Sequence, residues 1–112
     1  GRLENGLKLY STRTPPELQH LVESPVKDKV QIDEFRKFYA DCATFGSQAA
    51  IECALHFFGP DHMLFASDLP FDPEDGFGYV RRTLRDIGHL PVSEELKDAL
   101  RCQNALRLLN RA

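Results

Sequence analysis

The sequence predicts an α/β fold, and three features of the chain predict it. Residues 38–67 read as strand, helix, strand over about thirty residues, the size of a parallel βαβ crossover. The second of those strands, Met63-Leu64-Phe65-Ala66-Ser67, is an apolar run up to its last residue, the pattern of a strand buried on both faces. It ends abruptly in Asp68 and a Leu69-Pro70-Phe71 turn, after which come segments of helical period.

In chain order, residues 1–9 look like the tail of a helix begun upstream. Residues 10–29 are irregular, because Pro15, Pro16 and Pro25 interrupt any long element. Within them one short helix is expected over residues 15–22, with Thr14 as its N-cap and proline in its first turn. Residues 30–37 are a loop or a short helix. Phe38-Tyr39-Ala40-Asp41-Cys42-Ala43-Thr44 is the first strand, and Gly46-Ser47 opens the crossover helix. Ile51, Ala54, Leu55 and Phe58 fall at i, i+3, i+4 and i+7 on one stripe. Ser47 is a good N-cap and Gly59-Pro60 a clear stop.

After the second strand, residues 69–78 form a long loop rich in Pro, Asp and Gly. The next helix carries Val80, Leu84 and Ile87 on one side, with Arg81, Arg82 and Arg85 largely on the other, and Gly88 ends it. Ser93-Glu94-Glu95 begins another helix, its acids in the first turn where the helix dipole favours them, with Leu96 and Leu100 on its apolar face. Asn104-Ala105-Leu106-Arg107-Leu108-Leu109 is read as a separate, final short helix.

Composition excludes several classes of function. With 112 residues, 42% hydrophobic, 28% charged and a net charge of −3, the chain is an ordinary globular one. It has no basic stretch for nucleic acid and no apolar run of the roughly 20 residues that a membrane span requires. The three cysteines, Cys42, Cys53 and Cys102, are odd in number and form no CxxC pair. They predict reduced thiols in a cytoplasmic protein.

Asp68 is the leading candidate for chemistry. A carboxylate just past the C-terminal end of a buried parallel strand stands where barrel enzymes put catalytic and metal-binding groups. The alternative is that its side chain caps the turn before Pro70. The local pattern leaves both open.

Three segments together carry a resemblance. They are Phe38-Tyr39-Ala40-Asp41; Phe58-Gly59-Pro60-Asp61-His62 running on through the second strand to Ser67-Asp68-Leu69-Pro70-Phe71; and the final Asn104 segment. With them the chain resembles the C-terminal part of the amidohydrolase-related superfamily, and within it the branch of aminocarboxymuconate-semialdehyde decarboxylase. Gly1-Arg2 and the loop after it also match that branch, so the resemblance covers essentially the whole chain.

That family is a (β/α)8 TIM barrel holding a divalent metal, usually zinc, at the C-terminal ends of its strands. The resemblance implies that residues 1–112 are the C-terminal portion of one such domain, with residues 38–44 as strand seven and 63–67 as strand eight. This would be an incomplete barrel, since a closed one takes roughly 250 residues. It implies that Asp68 is both metal ligand and proton carrier. The implied substrate is a small unsaturated or aromatic carboxylic acid, with decarboxylation as the first reaction class and hydrolysis or hydration as the second. The family's other ligands come from a His-x-His pair and later histidines, and this sequence has no His-x-His. The metal site is therefore expected to be incomplete and the chain alone inactive. Its expected partner is a second copy or a complementing barrel half. A small α/β domain that binds or scaffolds without catalysis stays open, as does half of a split barrel.

The remaining polar residues have plainer readings. His20, His56, His62 and His89 are expected in surface or packing roles, with His62 ahead of the second strand and so at the stability face of a barrel. Asp72, Glu74 and Asp75 either line a site mouth or are solvated. Asp41 is expected as a hydrogen-bonded structural residue, and the three arginines as a solvated helix face. Asn104 matches a family asparagine for which N-capping is sufficient explanation, and Gln103 replaces the small residue common before it.

Overall fold

A computed structural model of the chain describes Arg2, Asn5, Gly6, residues 15–18, His20 and residues 32–110. The chain divides into two units, Gly1–Lys37 and Phe38–Ala112.

In the first unit Arg2, Asn5 and Gly6 are helical, as expected of that segment. Of the helix expected over residues 15–22, Pro16–Leu18 is a 3₁₀ turn, closed by Leu18 N–H on the Pro15 carbonyl at 2.9 Å, and His20 is helical, while residues 19, 21 and 22 lie outside the described residues. Thr14, its expected N-cap, lies outside the described residues. Of the segment left between loop and helix, Ile32–Phe35 forms one turn, α1. Exposed Asp33–Arg36 and Glu34–Lys37 pairs decorate it.

The second unit is built on the predicted strand–helix–strand. β1 (Ala40–Asp41) and β2 (Met63–Leu64) pair in parallel, Ala40 opposite Met63 and Asp41 opposite Leu64. Both strands are shorter than the apolar runs suggested. A run of strand residues is a ladder only where a neighbour supplies hydrogen bonds, and this sheet has two strands. Past Cys42, whose N–H reaches the Leu64 carbonyl at 3.0 Å, the first run bends. Ala43 N–H goes to the Asp41 side chain and Thr44 N–H to the Cys42 carbonyl.

The crossover helix α2 (Gln48–Phe58) has the expected ends. Ser47 Oγ accepts from Ala50 N–H, and Gly59 closes the helix with φ +84 and its N–H on the Leu55 carbonyl. The stripe also holds: Ile51 is fully buried, and Ala54, Leu55 and Phe58 pack against the core. A 3₁₀ turn, Pro60–His62, leads into β2. Cys42, Ile51, Met63, Ile87, Leu90 and Leu100 are the buried centre. Each such aliphatic side chain contributes about 1.5–3 kcal/mol by leaving water.

Helix α3 (Phe77–His89) departs from its sequence reading. It runs through Gly88, a residue a helix tolerates at a cost of about 1 kcal/mol. Its buried positions are Gly78, Thr83, Asp86 and Ile87, whereas Leu84 is 43% exposed. The face turned inward is thus rotated from the Val80–Leu84–Ile87 stripe. Helix α4 (Glu94–Asp98) starts as expected, with Ser93 Oγ accepting from Leu96 N–H. It does not stop before Asn104. A π turn, Ala99–Gln103, carries it without a break into α5 (Asn104–Leu108), with Asn104 N–H on the Ala99 carbonyl five residues back.

Asn104 is therefore not an N-cap. It is 1% exposed, and its Nδ2 donates to the carbonyls of Pro60 and Met63, both at 2.7 Å. Its Oδ1 accepts from Arg107, which also reaches Asp61. One side chain so fastens the last helix to the entry of β2 and satisfies a carbonyl of the 3₁₀ turn and one of β2.

Candidate functional site

Parallel pairing sends the chain out of β1 and β2 at the same edge, so residues 43–47 and 65–76 form neighbouring loops. Asp68 lies on the second, four residues beyond Leu64. Its backbone is left-handed, φ +61, which costs a non-glycine residue about 1–2 kcal/mol and which Asp tolerates better than most. Its carbonyl accepts Phe71 N–H at 3.1 Å across the cis Leu69–Pro70 bond. The turn is therefore closed by the backbone. The Asp68 carboxylate is exposed and takes no hydrogen bond or ion pair among the described residues. The alternative in which this side chain caps the turn does not hold.

Asp72 is the opposite case. It is largely buried, and its carboxylate accepts the backbone N–H groups of Glu74 at 2.6 Å, Gly76 at 3.2 Å and Tyr79 at 2.8 Å. Burial pushes its pKa up, but the N–H groups of Tyr79, Glu74, Gly76 and Gly78 outweigh this and hold it below the usual carboxylate range. Asp72 thus caps α3 from four residues ahead of Gly76, where no side chain caps. Gly76 itself is required: its φ is +87, and a Cβ there would lie 2.5 Å from Leu69 Cγ.

Glu74 is exposed, as the solvated reading expects, and its carboxylate is also held by ion pairs. Its two oxygens take Arg82 Nη2 at 3.1 Å and Arg81 Nη2. The Arg82 guanidinium also lies 5.7 Å over the Tyr79 ring, and that ring meets Phe45 at 5.0 Å. Sequence reasoning missed this arrangement. Its available signals were Glu74 standing seven and eight residues ahead of the arginine pair, and the glycines at 46 and 78 that give the side chains room. Arg85 differs from its neighbours, pairing with buried Asp86. Asp75 is exposed, with φ +56.

The other candidates sit away from this edge or are spent on structure. Asp41 Oδ1 accepts Ala43 N–H at 2.8 Å, the structural role expected of it. His62 precedes β2, at the opposite edge, where its ring stacks on Tyr39 at 4.7 Å and its Nδ1 lies 3.3 Å from the Phe38 carbonyl. His20, His56 and His89 are exposed. Cys42 is buried; burial, and then the nearby Asp41 charge, push its thiol pKa up to about 11, while Cys53 and Cys102 are exposed.

Among the described residues no group of three or more His, Cys, Asp and Glu stands together as a metal site. Asp72 and Glu74 already have partners, so Asp68 is left without co-ligands. The residues present do not fit a metal by themselves, since a zinc site takes about three protein ligands. No described helix is long and apolar enough to cross a membrane.

A family model described as Amidohydrolase matches residues 21–111. Its members have the TIM-barrel fold, are generally enzymes and typically bind a divalent metal. No curated protein and no solved structure matches the chain.

Proposed function

The chain belongs to the amidohydrolase family, and on that premise we propose that it is the strand-seven and strand-eight portion of a (β/α)8 barrel enzyme whose acid–base group is Asp68. The single observation behind this is the carboxylate itself. It stands exposed past the end of β2, on a strained backbone, with no structural task of its own among the described residues. A left-handed backbone at a non-glycine residue is a reason to look for a functional use.

The reaction we favour is decarboxylation of a small unsaturated or aromatic carboxylic acid, as in the branch of aminocarboxymuconate-semialdehyde decarboxylase. Breaking the carbon–carboxyl bond releases CO2 and leaves the electron pair on carbon, which must take a proton. A carboxyl group within hydrogen-bond reach of that carbon can supply it. Hydrolysis is the second reading, and the family's own description favours it: there the same carboxylate would accept a proton from the attacking water. The complete site would hold a divalent metal, zinc in our reading, through further ligands from the rest of the barrel, with Asp68 as one among them. That remainder comes from the same polypeptide, a second copy or a complementing chain. The cysteine usage supports a cytoplasmic setting.

The test is Asp68→Asn in the complete enzyme, with ¹³CO2 release from ring-hydroxylated benzoic acids and the melting temperature read together. Asn keeps the side-chain shape and tolerates the left-handed backbone but carries neither charge nor transferable proton. Turnover is expected to fall by about 10²- to 10⁴-fold at an unchanged melting temperature. Normal turnover would remove Asp68 from the site and this reading with it.

A further inference from the structure

The loops that leave β1 and β2 emerge side by side, yet among the described residues the last backbone hydrogen bond between them is Cys42 N–H to Leu64. Beyond it something else must hold residues 43–47 to residues 65–76. The Asp68 carboxylate has no partner to orient it, so its aim follows the path of its own loop. That path is narrow. Leu69 is wedged against Gly76, and Phe71 N–H closes on the Asp68 carbonyl.

Arg82 touches both loops. Its stem crosses the backbone of Gly46, where φ is +91 and a Cβ would lie 3.3 Å from Arg82 Cδ and 3.4 Å from its Cβ. Its Nη2 donates to Glu74 on the second loop at 3.1 Å. Its guanidinium lies over Tyr79, whose ring packs on Phe45 of the first loop. Arg81 bonds the other oxygen of Glu74, with no described contact to the first loop. One arginine therefore ties the second loop to its own helix, and the other ties the two loops together.

We propose that Arg82 is a positioning residue for Asp68, clamping the loop after β2 to the loop after β1 and so fixing where the carboxylate points. This rests on the reading of Asp68 given above. The two arginines make a matched pair for testing it, because each loses an ion pair with the same Glu74 but only Arg82 bridges the loops.

The measurement is the ¹³C carboxyl resonance of Asp68 in the aspartate-labelled full chain, assigned by its loss in Asp68→Asn, together with exchange at the hydrogen-bonded amides of Phe71, Thr44 and Ser47. In Arg82→Ala the Asp68 resonance should move, and exchange at these three amides should quicken about three- to tenfold, the scale of one exposed ion pair plus one cation–π contact. Arg81→Ala should leave both readouts near the parent's. Arg82→Lys keeps the stem and the charge and should restore them in part. An unmoved resonance in Arg82→Ala overturns the proposal, and so does an equal change in Arg81→Ala. A rise in exchange spread evenly over core amides such as Ile51 and Ile87 also overturns it, because Arg82 would then hold the fold and not the aim. None of this requires a substrate, so failure here leaves the Asp68 turnover test standing, and failure there is read without the resonance.

Discussion

At the scale of single residues, the environment of each acidic group decides what it can do. Asp41 and Asp72 have given their oxygens to backbone N–H groups, and Asp68 has kept its own. The three are alike in sequence and differ in what neighbouring backbone asks of them. The same contrast separates the cysteines. Cys42 lies in the core with its thiol pushed up to about 11, first by burial and then by Asp41. Thiolate is the reactive form, so Cys42 is inert in the folded chain at neutral pH. Ellman's reagent at pH 8 should label Cys53 and Cys102 at once, and Cys42 only after denaturant is added. Three fast thiols in the native chain would contradict the burial of Cys42.

At the scale of elements, α3 depends on a cap its own first residue lacks. Gly76 brings no side chain to the helix start, so Asp72 supplies the acceptor from the loop. A carboxylate held below its ordinary pKa stabilises the fold above the unfolded carboxyl value, near 3.9, and loses that contribution as pH falls through the lower folded value. Asp72→Asn should lower the melting temperature at pH 7 and flatten the acid side of the stability profile, since one of its two acceptors becomes a donor. A profile as steep as the parent's below pH 4 would show that other carboxyls carry the acid transition. The caps at Ser47 and Ser93 and the stop at Gly59 were legible because each depends on bonds within one turn of chain. The register of α3 was not. A helix of helical period fixes that one face is buried, while its neighbours choose the face, and here they chose Thr83 and Asp86 over Leu84. Both chosen residues keep a buried oxygen without a partner among the described residues, Thr83 Oγ1 and Asp86 Oδ2. The continuity of α4 into α5 was hidden for a similar reason. Asn104 is a common N-cap in sequence terms, and only the carbonyls of Pro60 and Met63, more than forty residues away, give it a different task.

At the scale of the whole molecule, two short parallel strands with the Asp68 carboxylate at their exit are not a complete site. Titrating the metal-free chain with zinc should give weak, non-stoichiometric binding, because no described donors join Asp68. A stoichiometric submicromolar site lost in Asp68→Ala would refute this. By itself the sequence determined the βαβ unit, the helix ends around it, the family, and Asp68 as a carboxylate at a strand's exit. These follow from period, from turn chemistry and from short motifs, all of which act between residues near in the chain. The tertiary structure alone decided that the Asp68 turn is closed by backbone, that Asp72 is the cap of α3, and that Arg82 bridges the two loops. Each of these depends on which distant groups meet at one edge of the sheet, and hydrogen bonds and ring contacts are settled by that meeting, not by spacing along the chain.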